Sequence, residues 1–380
     1  MSPRLRIAVF GALSMGALAL IVIAPVSAHH VPEAKFDPAN PITLQGSVSK
    51  IDWLNPHVHV FMEVQNGNNE NATVSWAVEL ESTVDLRRNG WSPDTVEPGD
   101  AITVEGMAAR DGSRQIWGNS VVLGDTGQRV FTVNFPESSP EGEAAGPTPR
   151  WPDGQPRLGP PPGEAGGYWG FPSATTLVEE GVTVRADRHG LLLDIDDADQ
   201  VAPFQPWARD LYVLRQLNFL KDDPMFLDCK TQAGPRIFQR PYGVVLLEER
   251  EHQRVRNFWG GGNQGWRNIF LDGREQTGSP EGTADDPVYY GHAVGQWEGD
   301  TLVVDTIGFN DRFWFSNGGL PHTPQLHLIE RFSRPDLNTL RYEVTIDDPG
   351  AYTRTWTSSW TLRWVTGEEL PVYYCQDNRP

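Results

Sequence analysis

Basic residues are scarce. The 380-residue chain carries 31 Lys and Arg against 50 Asp and Glu, a formal charge of −19. Binding to nucleic acid or to an anionic bilayer depends on Lys and Arg displacing condensed cations, so this deficit argues against a nucleic-acid partner. Charged residues of either sign are only 21% of the chain, while 38 Gly and 31 Pro approach a fifth of it. That composition interrupts helices and excludes a helical bundle or coiled coil. The short motifs of familiar enzymes are also missing. There is no Gly-x-Ser-x-Gly elbow, no His-Glu-x-x-His, and no glycine-rich loop opening a helix as a phosphate loop or dinucleotide fingerprint would. Cysteine is limited to Cys229 and Cys375, neither in a Cys-x-x-Cys arrangement, which leaves thiol redox catalysis without support.

What is present begins with an export signal. Arg4 and Arg6 precede an apolar stretch from Ile7 to Ala24, and Val26-Ser27-Ala28 offers small residues at the cleavage position. The alternative is an uncleaved anchor, which the Pro25 break disfavours; no cysteine follows for a lipid anchor. A mature chain from His29 would retain 29 basic and 50 acidic residues, a charge of −21, with no stable membrane anchor. In an oxidising periplasmic or extracellular compartment, Cys229 and Cys375 are expected to pair. Closing a loop of about 146 residues would restrict the unfolded chain by roughly 4–5 kcal/mol.

Residues 136–167 hold nine prolines and seven glycines in 32 positions, which predicts a linker between a domain at 29–135 and another at 168–380. The first reads as short alternating strands: Ile42 to Ile51, His57 to Val64, Thr73 to Leu80, Ala101 to Met107 and Gln115 to Val122. A helix capped by Ser82 and ended by Gly90 falls between the third and fourth. Three strands, a helix and two strands is the order of an OB-type barrel. The second domain holds nine of the 14 tryptophans. Its strands at Tyr242 to Glu248, Trp266 to Leu271, Thr301 to Thr306, Leu326 to Phe332, Thr339 to Ile346 and Thr353 to Trp364 predict a larger antiparallel barrel or curved sheet. One helix is expected from Pro206 to Phe219, with Trp207, Leu211, Leu214 and Leu217 near helical spacing.

Candidate chemistry in the first domain centres on histidine. Cleavage after Ala28 would expose an α-amine beside His29 and His30, a good chelate for Cu(II). His57 and His59, two apart on a strand, share a face and could supply further nitrogen to copper or zinc. Ordinary surface histidines are the plainer alternative. In the second domain, Asp305 sits inside an apolar strand following Trp297 and Glu298, and needs a partner such as Arg274 or Arg331. If instead Asp305 opens into a cavity, burial would raise its pKa and suit it, with His292 or His327, to acid–base work. His292, His322, His327 and Glu330 are further candidates, including for a three-ligand metal site, although His327 and Glu330 lie on opposite faces of a regular strand.

Two stretches carry a resemblance. His29-His30, Leu44-Gln45-Gly46-Ser47-Val48, Asn55-Pro56-His57, Leu86-Arg87-Arg88-Asn89-Gly90-Trp91, Pro98-Gly99-Asp100 and Ala109-Arg110-Asp111-Gly112 together resemble an uncharacterised family of exported bacterial domains over residues 29–134. Trp297 to Asp305, Gly308-Phe309 and Glu330-Arg331-Phe332 resemble a region of other secreted bacterial proteins of unknown role. The resemblances imply export and two domains, and no activity or catalytic residue. Two functions are therefore expected in order. The first is a periplasmic binding protein for a small, partly apolar or sugar-like ligand, using Trp297, Glu330, Arg331 and Arg274. The second is a secreted lyase, isomerase or hydrolase using Asp305 with a histidine.

Overall fold

The computed structural model describes residues 35–371 except 55–56, 67–68, 89, 125, 133–145, 165, 171, 175, 187–189, 219–222, 240–241, 262–263 and 277–287. His29, His30 and Cys375, with the signal segment, lie outside the described residues.

The first unit contains β1 (Phe36–Asp52), β2 (His59–Asn66), β3 (Asn69–Glu79), α1 (Thr83–Arg88), β4 (Ala101–Ala109), β5 (Gln115–Leu123) and β6 (Arg129–Thr132). β1 pairs antiparallel with β2 and β4, β2 with β3, and β4 with β5. A parallel pairing of β3 with β5 closes the ring, and β6 adds to the β5 edge. This is the OB-like barrel that the strand order predicts. Alternation explains its core: on β4, Ile102 and Val104 point inward, and they pack with Val60, Val78, Ile116 and Val121. Within α1 the Ser82 hydroxyl accepts from the Asp85 amide at 3.1 Å, the capping contact expected of serine there. At Gly106 the strands come so close that a β-carbon would lie 1.9 Å from the Trp117 carbonyl oxygen, so only glycine fits.

The second unit is a closed nine-stranded barrel in the order β10-β11-β12-β13-β14-β15-β7-β8-β9. Its strands are β7 (Gly167–Gly170), β8 (Val244–Glu249), β9 (Arg254–Trp259), β10 (Gly265–Phe270), β11 (His292–Glu298), β12 (Thr301–Ile307), β13 (His327–Asp336), β14 (Thr339–Asp347) and β15 (Trp356–Thr366). β7, β9 and β11 are additions to the sequence expectation; β7 is only four residues long, and β9 alternates arginine with apolar residues. The glycines from Gly260 to Gly265 join β9 to β10, two antiparallel strands, and open no helix. One pairing is parallel: β10 meets β11 through Ile269↔Ala293 and Phe270↔Val294 alone.

A 3-10 turn at Gly234–Phe238, buried at all five positions, fills the barrel interior. The Phe238 ring stacks on Tyr342 at 4.4 Å and meets Phe332 at 5.3 Å, and Trp360 Nε1 donates to the Phe238 carbonyl at 3.1 Å. Beside this plug the buried Asp223 carboxylate forms an ion pair with buried Arg236.

Two expectations change. Helix α2 (Pro206–Leu217) exists, yet Trp207, Leu214 and Leu217 are exposed, and the helix buries Ala208, Tyr212 and Gln216 instead. Gln216 is drawn inward because its amide accepts from Leu192 N at 2.9 Å and donates to Gly318 O at 2.6 Å. The proline- and glycine-rich stretch, expected to be a linker, is in its described part a strap on the barrel. Glu248 receives Trp151 Nε1 at 3.0 Å and the backbone amides of Leu158 and Gly159 at 2.8 and 3.2 Å, and Leu158 is fully buried. Proline removes donors without preventing burial, because the remaining amides find a carboxylate and Arg334 covers the carbonyls of Arg157 and Gly159.

Candidate functional site

In the first barrel, the antiparallel register sets His59, at the start of β2, opposite Glu79, at the end of β3. His57 precedes β2 and reaches the same carboxylate: its Nδ1 is 2.6 Å from Glu79 Oε1, and His59 Nε2 is 3.7 Å from Oε2. Lys35 Nζ donates to Oε2 at 2.8 Å. The His57 ring stands edge-on to Trp117 at 5.1 Å. Glu79 is 6% exposed. Burial pushes its carboxyl up, and the hydrogen bonds from His57 and Lys35 with the nearby His59 outweigh burial and hold it far below the usual carboxylate range. The carboxylate is therefore bound more strongly in the folded than in the unfolded state. Its contribution is complete above the ordinary glutamate value of 4.5 and is lost as pH falls below it. The stability gap between wild type and Glu79→Gln should thus be on the order of 2 kcal/mol at neutral pH and narrow progressively as pH falls below about 4.5. Parallel curves across that range would show that Glu79 does not act this way.

Sequence reading found both histidines and missed Glu79. The signal was present: Glu79 ends the alternating run Thr73 to Leu80 one hairpin away, and only the register was needed. Among the described residues, no group of three or more His, Cys, Asp or Glu side chains is placed to hold a metal ion.

In the second barrel the candidates separate. Asp305 takes neither expected arginine, since Arg274 binds Asp272 at 2.6 Å and Arg331 binds Glu298 at 2.7 Å. Its partner is His327, Nε2 to Oδ1 at 3.2 Å, both side chains on the outer face and partly exposed. Facing outward, Asp305 is only partly buried, and the burial that raises its pKa is outweighed. The hydrogen bond from His327 lowers it, Gln276 adds to that, and Asp305 in turn raises His327. Each partner favours the charged form of the other. Glu330 points the other way and is sealed in the core against Arg267. Buried His322 places Nε2 2.9 Å from the Phe313 carbonyl, and burial lowers its pKa. His322, His327 and Glu330 consequently do not converge as metal ligands. Trp297 packs against the barrel core.

A cleft of about 580 Å³ opens beside the β10–β11 seam. A parallel connection needs a long crossover, here 271–291, and with only two residue pairs between them the strands leave space on one side. Trp266, Phe270 and Tyr290 give it aromatic surface; Asn268, Arg274, Gln276 and His292 give it polar groups. Trp266 is 48% exposed. Arg274 lies over the Phe270 ring at 3.6 Å. Gln276 Nε2 donates to His292 O at 2.9 Å, Asp305 O at 3.0 Å and Asp305 Oδ1 at 3.2 Å, which fixes the amide and leaves Oε1 buried without a partner. Asn268 Oδ1 is likewise unpartnered. Of the expected ligand-binding residues, Arg274 lines this cleft, and so does His292; Trp297, Glu330 and Arg331 do not.

These two barrels define a mainly β protein with an OB-like first unit. Residues 18–117 match the model of a family of unknown function, DUF6152. That span takes in His29, His30, His57, His59 and Glu79 and ends within β5. No curated protein matches the chain.

Proposed function

We propose that the chain is an exported periplasmic binding protein whose larger barrel takes a small, neutral, sugar-like or partly apolar ligand in the β10–β11 cleft. The observation that carries this reading is the cleft itself: the exposed Trp266 ring, with Phe270 and Tyr290 beside it, among the polar side chains of Asn268, Gln276 and His292. The charges around it, Glu275 among them, disfavour an anionic ligand. Arg274 is paired with Asp272 and Arg267 with Glu330, so neither offers a free cation to an anionic ligand. A thermal-shift screen of the mature chain against neutral saccharides and small aromatic alcohols should give stabilising ligands. Trp266→Ala should weaken them roughly tenfold or more, since stacking contributes about 0.5–1.5 kcal/mol beyond buried area. Ligands that bind Trp266→Ala as tightly as wild type would sink the reading.

The same proposal includes copper or zinc in the first barrel, through His29, His30, His57 and His59, and places the protein in the periplasm or outside the cell. The N-terminal signal pattern supports export, and no helix among the described residues is long and apolar enough to cross a membrane. It also includes a Cys229–Cys375 disulfide; no described cysteine is a free thiol. Thiol titration of denatured, unreduced protein should find none, and two titrating thiols would refute the pairing. The strong excess of acidic residues keeps nucleic acid out of the reading. A lyase, isomerase or hydrolase reading rests on the 3.2 Å Asp305–His327 contact. It is the weaker one, because neither residue lines the cleft and the contact lowers the pKa of Asp305, away from the raised value that acid–base work would need.

A further inference from the structure

We propose that the β10–β11 cleft holds one end of a neutral oligosaccharide whose chain continues across the outer face of β10, β9 and β8. The proposal rests on the small-ligand reading above and adds to it a substrate class and a path. Alternation puts every second residue of these strands on the outside, and the register joins those residues into rows. Trp266, which lines the cleft, stands beside Phe258, and Phe258 stands beside Val245. In the next row Asn268, also of the cleft, stands beside Arg256 and Arg256 beside Leu247. The solvent side of an antiparallel sheet is ordinarily polar. Here Trp266 and Leu247 are 48% and 42% exposed, and Phe258 and Val245 are partly exposed. The apolar row therefore runs out of the cleft over three strands, a span of roughly 10 Å.

The chemistry of the rows selects the occupant. A pyranose ring presents C–H groups on its faces and hydroxyls around its rim, so it suits a flat apolar platform bordered by hydrogen-bonding groups. Trp266, Phe258 and Val245 form that platform, and Asn268 and Arg256 border it. The Arg256 guanidinium lies over the Trp266 ring at 5.3 Å and pairs with Glu249 at 3.1 Å, which holds the ring in place from the neighbouring strand. Glu249 also binds Arg254. Counted with Arg274, its partner Asp272 and Glu275 of the cleft, three positive side chains meet three negative ones, which favours a neutral chain over an acidic one. A protein partner would need about 800 Å² on this side. One row of three residues offers far less.

The test titrates the mature chain by calorimetry with glucose and with cello-oligosaccharides from cellobiose to cellohexaose, whose flat ribbon matches a sheet face. Affinity should rise roughly tenfold or more from glucose to the longer oligomers. Phe258→Ala should remove most of that gain and Leu247→Ser part of it, both leaving glucose binding unchanged, whereas Trp266→Ala should weaken every length. Glucose bound as tightly as cellohexaose, or oligomer affinities unchanged in both Phe258→Ala and Leu247→Ser, would overturn the extended path and leave the cleft reading standing. Binding of small aromatic alcohols with no saccharide of any length would overturn the glycan alone, and binding of neither would overturn both. Light scattering that finds the wild type self-associated and Leu247→Ser monomeric would assign the face to protein contact instead. Leu247 lies at the surface, so its variant keeps the test decisive even if Phe258→Ala fails to fold.

Discussion

Replacing Glu330 by alanine should destabilise the larger barrel by about 3–5 kcal/mol, the cost of leaving a buried charge without its partner. Glu330 is fully buried and Arg267 is 4% exposed. Arg267 donates through Nη1 and Nη2 to the two Glu330 oxygens at 2.8 and 2.7 Å, while Tyr342 Oη and Thr306 Oγ1 donate at 2.9 and 3.3 Å. Burial pushes the Arg267 pKa down, but the Glu330 carboxylate outweighs this and raises it above the ordinary guanidinium value. Once Glu330 is gone, the main offset to that burial is lost. Urea denaturation followed by tryptophan fluorescence measures the loss. A second arm separates charge from packing. Glu330→Leu combined with Arg267→Met removes both charges while keeping apolar volume, and should recover most of the stability lost by the single variant. A cost below about 1 kcal/mol for Glu330→Ala would mean that water reaches Arg267 in the barrel.

Phe238→Ala should cost a similar 3–5 kcal/mol, for a different reason: it removes the ring that fills the barrel from within. The Gly234–Phe238 turn adds its buried residues to the inward side chains of the nine strands. Phe238 stacks on Tyr342, tilts against Phe332, and lies 5.9 Å from the Arg267 guanidinium. Phe238→Leu, which restores most of the volume, should lose distinctly less. Equal losses for the two variants in the same denaturation assay would show that ring stacking rather than volume decides the effect.

The strands were largely legible before any coordinates. β1 to β5 and six strands of the larger barrel fall where alternation of apolar and polar residues puts them, because a side-chain period of two is written directly into the chain. The same period separated His327 from Glu330 and placed His57 and His59 together. It also grouped Leu302, Val304 and Thr306 on the face of β12 opposite Asp305, the face that proves to be buried. Periodicity failed where the apolar signal was short or shared. β7 is four residues, β9 carries arginines on one face, and the described part of the strap is held by Glu248 and Arg334 from distant strands.

The sequence alone determined the acidic balance, the strand periodicity, the helix cap at Ser82 and which histidines could act together. Tertiary structure decided the partnerships. Glu79 meets His57, His59 and Lys35, Asp305 meets His327 rather than an arginine, Glu330 meets Arg267 inside the barrel, and the β10–β11 seam opens into a cleft. The physical reason is that alternation fixes which residues of one strand share a face. It does not fix which strand lies alongside, in what register, or which of two faces the closed barrel turns inward.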